Sequence, residues 1–376
     1  MNLESPIAMP IDSLIAGLGD LPAIRLLHDS KWQRTFGRIE AGPTPTLVLA
    51  YEKPQERSLR IQISATETAG ARRDGDEAWI TIASCSDDPA LPTLPRALKV
   101  YHCDQIIRYR PGKRCTFRGF AGGRPAFIKV LADDRGAMIA SDAVALASKR
   151  HLLDFDIADC LGWDRPLQAL THVAIEGQPV PPLLLARDGK EVAARIGHSL
   201  ASLPKSGIKP AHVFGAKQQM KRTVKYANKL RKLTPRLAPL SNKLVNALAH
   251  AHVVVPDTPH GTIHGSPHPH QWLDNRGRLA LVDFDRLSIG PIEIDAATFV
   301  AELDFEAGGM AAESEAFLTA YARRMKRLDR RLLEVYRAHK HFAKAFKAAL
   351  SIDPNREGRA EQLLRGALRL LQEGLR

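Results

Sequence analysis

The sequence predicts an α+β chain of two lobes, an antiparallel sheet followed by a mainly helical part. Three observations carry this. Runs of alternating polar and apolar residues, broken by Gly and Pro turns, occupy much of the stretch from 46 to 131. From about residue 187 the apolar residues recur at helical spacing instead. Only 260–295 interrupts the helices, with short strand-like runs between polar loops. Strands gathered in one half and helices in the other make an α+β plan.

Residues 46–63, "TLVLAYEKPQERSLRIQI", alternate like two strands around a polar turn, and "AWITIASC" (78–85) supplies a third. The intervening "SATETAGARRDGDE" (64–77) reads as a loop, and "SDDPALPTLPRAL" (86–98) as a proline-rich connector ending in a short helix. A three-stranded meander follows in "KVYHCDQIIRYR" (99–110), "KRCTFRGF" (113–120) and "AFIKVL" (126–131). Its turns fall at Pro111-Gly112 and "AGGRP", where hairpins need them. Residues 135–152 have helical periodicity, and 169–186 pass from an extended run into a Gly/Pro segment that reads as the crossover between lobes. Helices are then expected over 189–204, through the basic stretch and over 241–252. After the motif region they resume over 296–305, over 314–351 as one long stretch, and over 358–375. This divides the chain into a strand-rich extension (1–85), a sheet lobe (86–176) and a helical lobe (177–376).

A chain of 376 residues, 44% hydrophobic and 25% charged, can bury two or three ordinary cores. It has no apolar run of 18 residues and no basic segment ahead of an apolar core near its start, so neither a membrane span nor a secretory signal is expected. Scattered cysteines (Cys85, Cys103, Cys115, Cys160) fit reduced thiols and a cytoplasmic location. The net charge of +13 is concentrated: Arg195 to Lys243 holds twelve Lys or Arg and no acid. Within it "KQQMKRTVKYANKLRKL" (217–233) places Val224, Ala227 and Leu230 at helical spacing among cations. Such a stretch is a solvated helix face, a surface for an anionic small-molecule partner, or a polyanion site. No RRM, KH, zinc-finger or helix-turn-helix signature occurs, so nucleic acid is not the expected partner.

Chemistry concentrates in two places. "LALVDFDRL" (279–287) ends an apolar run on Asp283, projecting a carboxylate of the kind magnesium takes from a strand end. "AFIKV" sets Lys129 inside an apolar strand, where an ammonium must snorkel or find an anion such as a nucleotide phosphate. His260, His264, His268 and His270 also crowd together, but Pro267 and Pro269 exclude a helix, so the spacing says little about a zinc or iron site.

The order strand lysine, helix, crossover, helices, "HG" loop and "DF" resembles the aminoglycoside phosphotransferase and choline kinase group, within the protein-kinase-like fold. The group's loop reads H-G-D-x-x-x-x-N. Here it stands as His264, Gly265, Ser266, Pro267, His268, Pro269, His270 and Gln271. "VDFD" (282–285) matches the second motif, and "IGPIEIDAATF" echoes the third, with Asp295 as brace of the loop. The resemblance covers roughly 86–376 and includes a bacterial branch in which glutamine often replaces the loop asparagine.

The resemblance implies ATP and magnesium as cofactors and a hydroxyl on a small molecule or sugar as acceptor. By it, Lys129 would hold nucleotide phosphates with Asp142 as acidic partner, and Lys113 and Arg114 would cover them from the 110–114 turn. Residues 169–177 would receive adenine, and Gln271 and Asp283 would hold the metal. Ser266 departs from the pattern at the proton acceptor, a role His268 could take, with His264 supporting the loop. Two readings follow: a phosphotransferase with altered proton transfer, or a nucleotide-binding scaffold that has lost its chemistry.

Overall fold

The computed structural model describes residues 33–40, 46–52, 59–64, 72–73, 79–84, 87–306 and 309–376. The first sheet contains β1 (Gln33–Glu40), β2 (Thr46–Glu52), β3 (Leu59–Ser64), β4 (Arg72–Arg73) and β5 (Trp79–Ser84), antiparallel in the order β1-β2-β3-β5-β4. β2, β3 and β5 are the strands expected from alternation. β1 was not foreseen, and its register slips between Arg34 and Phe36, which breaks the two-residue period. β4 falls inside the expected 64–77 loop and Ser64 ends β3; the rest of that loop, like the expected turn between β2 and β3, lies outside the described residues.

After α1 (Leu94–Val100) come β6 (Gln105–Arg110), β7 (Arg114–Ala121), β8 (Arg124–Leu131) and α2 (Gly136–Ser148), then β9 (Asp156–Ile157), β10 (Cys160–Asp164) and β11 (Ala169–Val173). Five of these strands form an antiparallel sheet in the order β10-β11-β8-β7-β6, which buries Phe117, Ile128 and Val130 together with Leu94 and Ala97 of α1. The meander is therefore present, although its first strand begins at 105 rather than 99. Pro95 in the first turn of α1 favours helix, and α1 continues through Lys99 and Val100.

The helical part contains β12 (Gln178–Pro179), α3 (Val180–Leu184), α4 (Gly189–Leu200), α5 (Ala216–Leu233) and α6 (Ala238–Val254). Then come β13 (His260–Ile263), β14 (Trp272–Asn275), β15 (Arg278–Leu281) and β16 (Ser288–Pro291), and finally α7 (Glu293–Asp304), α8 (Ala311–Met325), α9 (Arg330–Ala349) and α10 (Arg356–Gly374). The single helix expected over 314–351 is two, α8 and α9. Lys326 turns left-handed (φ 58°), and the Asp329 side chain accepts from the N–H groups of Arg331 and Leu332 to start α9. The β14–β15 hairpin pairs with β12 on one side and, in parallel, with β9 on the other; β13 pairs with β16. Trp272 at the base of the hairpin is fully buried, edge-on to Phe155 at 5.6 Å. α7 is buried on nearly every side, so the loops at its start rest on the core. Among the described residues no helix is long and apolar enough to cross a membrane.

Candidate active site

The 264–271 loop is held from beneath. Asp295, in the first turn of α7 and 1% exposed, accepts the N–H of His264 at 2.7 Å and of Gly265 at 2.8 Å. Burial nonetheless pushes its carboxyl up to about 7, those two hydrogen bonds acting in the opposite direction. Gly265 sits at φ 80°, and a Cβ there would come within 2.4 Å of the Arg286 carbonyl oxygen, so the position demands glycine. His264 is fully buried; its Nε2 donates to the Val282 carbonyl at 3.2 Å and its ring packs on Phe284 at 4.7 Å. Burial pulls its pKa down to about 4, so the ring is neutral and ties the loop to the segment leading into Asp283.

Beyond this anchor the loop turns outward, and Ser266, His268 and Gln271 line a cavity of about 1030 Å³. Burial lowers the His268 pKa and the neighbouring His270 adds to this, while Glu302 opposes it, so His268 is neutral at neutral pH. Pro269 opens a short 3-10 turn in which Gln271 Oε1 accepts the His268 N–H at 3.1 Å and Gln271 Nε2 faces Asp283 Oδ2 at 3.3 Å.

Asp283 follows β15 in the left-handed region, φ 69°, which aspartate tolerates better than most side chains. Its carboxylate meets Lys129, on β8 between Thr116 of β7 and Leu170 of β11. Lys129 Nζ donates to Asp283 Oδ1 at 2.5 Å and to Asp285 Oδ1 at 2.7 Å, and Arg114 Nη1 reaches Asp285 Oδ2 at 3.1 Å. Burial would raise the Asp283 carboxyl, but the Lys129 ammonium and its hydrogen bond, with Arg114, hold it well below the usual carboxylate range. Asp285 is raised, by burial and by the charge on Asp283.

The turn that carries Lys113 and Arg114 is pinned by Asp88. That buried carboxylate accepts the Tyr109 hydroxyl at 2.8 Å and the Gly112 N–H at 2.7 Å through Oδ2, and the Ala90 N–H through Oδ1. Lys113 and Arg114 both face the cavity. The 169–177 segment is β11 and its continuation, where Ala174 donates to the Pro125 carbonyl at 2.9 Å.

Asp142 stands apart from this group. It lies on α2 against the Ala211 backbone and His212, while Lys129 takes Asp283 and Asp285 as its partners. Aspartate on α2 is one methylene shorter than glutamate, consistent with its failure to reach the lysine. The crowded histidines make no metal cage either. Among the described residues no group of three or more His, Cys, Asp or Glu side chains converges as one, and the His268 and His270 rings stand 6.1 Å apart. Magnesium asks for less: hard oxygens, one or two carboxylates and phosphates. Asp283 and Asp285 share one ammonium, so two carboxylates that suit it gather here, and Gln271 lies beside them with its NH₂ on Asp283 and its oxygen on the His268 N–H.

Two features escaped the sequence reading. Asp285 closes the ion-pair cluster, and its only signal was the second acid of "DFD". The cavity is also lined by a group of cations: Arg222, Lys225 and Lys229 of α5, Lys340, Lys344 and Lys347 of α9, and Arg286. The excess of basic residues in 195–243 signalled α5 but not its α9 counterpart.

A model of the APH phosphotransferase enzyme family matches residues 152–341, just over half of the 376-residue chain. Among solved structures, a choline/ethanolamine kinase family protein from Mesorhizobium loti is 18% identical at a TM-score of 0.54, the match covering 77% of this chain and 98% of that one. The choline kinase of Streptococcus pneumoniae is 13% identical at 0.52, covering 72% and 92%. An aminoglycoside-3'-phosphotransferase of type VIII is 20% identical at 0.50, covering 68% and 99%. None of the curated proteins matches. At such identities the likeness is one of fold, and it is the two-lobe kinase-like fold that the sequence led one to expect.

Proposed function

Because the chain belongs to the phosphotransferase enzyme family, we propose that it moves the γ-phosphoryl group of ATP, with magnesium, onto a hydroxyl of a small molecule or sugar. One observation carries the reading. Lys129 and Asp283 lie 154 residues apart in sequence, one in the sheet and one beside the catalytic-type loop, and they meet at 2.5 Å. An ammonium and a metal-binding carboxylate brought together in this way are what phosphoryl transfer asks of a protein.

In this reading 86–176 hold nucleotide, 177–376 hold the acceptor, and the strand-rich extension 1–85 is an addition to both. Lys129, Lys113 and Arg114 bind the phosphates, while the 169–177 backbone receives the base. Asp283 and Gln271, with Asp285 beside them, hold magnesium, which neutralises phosphate charge when bound; the Gln271 oxygen keeps a second lone pair free for it. The acceptor oxygen forms a bond to the γ-phosphorus as the bond to the bridging oxygen breaks and its electron pair leaves on ADP. The hydroxyl donates its hydrogen bond, and then its proton, to the neutral His268 ring, while Ser266 orients the acceptor oxygen by donating its own hydroxyl hydrogen to it. The cationic wall of the cavity favours an anionic acceptor, and ATP as donor places the reaction in the cytoplasm.

Ser266 favours a second reading, a nucleotide-binding scaffold without turnover. Restoring the acid separates the two. Ser266→Asp is expected to raise ATP turnover, on acceptor or on water, by on the order of 10²-fold, the low end of what a positioned base supplies. A drop in both nucleotide binding and turnover would show a loop rebuilt around serine and would favour the scaffold.

A further inference from the structure

Two helices present one continuous cationic face to the cavity. On α5, Arg222, Lys225 and Lys229 fall at i, i+3 and i+7, and on α9, Lys340, Lys344 and Lys347 repeat nearly the same spacing, so each set occupies one side of its helix. The helices are fixed to each other between these stripes. Tyr226 stacks on Phe346 at 4.7 Å, and Thr223 Oγ1 meets His339 Nδ1 at 2.8 Å. The face is therefore a rigid pair of rows.

Most of these cations lack a counterion. Lys344 has Glu302 at 3.6 Å and lies over the Phe305 ring. Among the described residues no carboxylate comes within ion-pair distance of Arg222, Lys225, Lys229, Arg286, Lys340 or Lys347. Arg222 bonds only a neutral group, the Tyr226 hydroxyl at 2.9 Å. Burial lowers the pKa of Lys340 and Lys347, and Arg222 and Arg286 lower both further. Lys344 also lowers Lys347, while Glu302 opposes the shift in both and Asp295 in Lys340, so like charges are held close here. A solvated helix face would spread such charges into water. Here they line one cavity together, side by side on the packed helices, and Ser266 and Asp283 line it too.

We propose that the acceptor already carries at least one phosphate group, and that Arg222, Arg286, Lys340 and Lys347 hold that phosphate while its hydroxyl reaches Ser266. This rests on the phosphotransferase reading for the word acceptor, though not for the anion site itself. A phosphate dianion offers several acceptor oxygens to a cluster of donors, and guanidinium groups match it in pairs. A cavity of about 1030 Å³ is of small-molecule size, which argues against a macromolecular polyanion. A cationic acceptor, such as the choline for which the Streptococcus pneumoniae relative is named, would meet repulsion here.

The test is calorimetric titration of the full chain, free and saturated with a non-hydrolysable ATP analogue and magnesium. The probes are fructose 1,6-bisphosphate and inositol hexakisphosphate, with fructose and choline as controls. At least one phosphorylated probe is expected to bind in the presence of the analogue, and fructose and choline are not. Arg222→Gln combined with Lys347→Gln is expected to weaken that binding at least about tenfold. The double variant keeps its analogue affinity, and at low salt its melting temperature without ligand holds or rises, because like charges have been removed. Failure of both phosphorylated probes, their displacement by the analogue, unchanged affinity in the double variant, or tighter binding of a single-stranded oligonucleotide at the same site would each overturn the proposal. If the analogue itself does not bind, the phosphotransferase reading fails, while titration of the free protein still decides the anion site.

Discussion

Ser266 can accept a hydrogen bond from an acceptor hydroxyl but cannot hold its proton near neutral pH, so the proton must go elsewhere. Of the two loop histidines that line the cavity, His268 and His270, His268 has its pKa set below the ordinary 6.5 by burial and can accept the proton. A base works unprotonated, so turnover is expected to fall as pH drops through that lowered value, with the acid limb of the kcat profile below pH 6.5. His268→Ala should remove that limb and cost roughly 10²–10⁴-fold in kcat, with partial rescue when Ser266→Asp is added. An acid limb unchanged in His268→Ala would assign the proton to another group. Asp295 permits a stability test. Asparagine there would offer one acceptor oxygen to two N–H groups and turn an NH₂ toward the other, so Asp295→Asn should cost about 1–3 kcal/mol in urea unfolding. His264, Ser266, Gln271, Asp283 and Asp295 were legible because they sit in contiguous motifs. Asp88 was not: its partners Tyr109 and Gly112 lie 21 and 24 residues on, and nothing in "SDDPALP" separates an anchor from a connector.

At the scale of elements, α5 divides the basic stretch in two. Arg222, Lys225 and Lys229 line the cavity, whereas Lys217 and Lys221 point elsewhere. Reversing Lys225 and Lys229 to Glu should weaken a phosphorylated probe and make its binding less sensitive to salt; reversing Lys217 and Lys221 should leave it within about twofold. Equal effects from the two pairs would mean the whole helix acts as a diffuse field. The helix itself was legible, but not which side it buries. Gln219, Thr223, Ala227 and Leu230 form the buried stripe, and Val224, one position on from Thr223, is 39% exposed. A polar threonine is buried there because His339 of α9 satisfies it, a partner that periodicity cannot see. The break between α8 and α9 was hidden for a similar reason: the left-handed turn at Lys326 carries no glycine to mark it.

At the scale of the whole molecule, the sheet lobe and the helical lobe meet through charge. Lys129 and Arg114 come from one and Asp283 and Asp285 from the other. The first sheet adds a contact of its own: Ile39 of β1 donates its N–H to the Leu350 carbonyl just past α9, and Ile39 lines the cavity. The two-lobe plan was legible from composition by halves. The docking of β1 was not, because a single backbone hydrogen bond across the chain leaves no pattern in sequence. A nucleotide bound between the lobes should stabilise the whole chain, since a native-state ligand at 100 times its Kd adds about 2.7 kcal/mol. The most direct measurement is therefore the melting temperature with and without ATP and magnesium, in the natural protein, Lys129→Ala and Asp283→Ala. The natural protein is expected to melt several degrees higher with ATP and magnesium than without. Both variants should fold yet lose most of that shift. A shift of undiminished size in both variants, or none in the natural protein, would contradict nucleotide binding at the Lys129–Asp283 cluster.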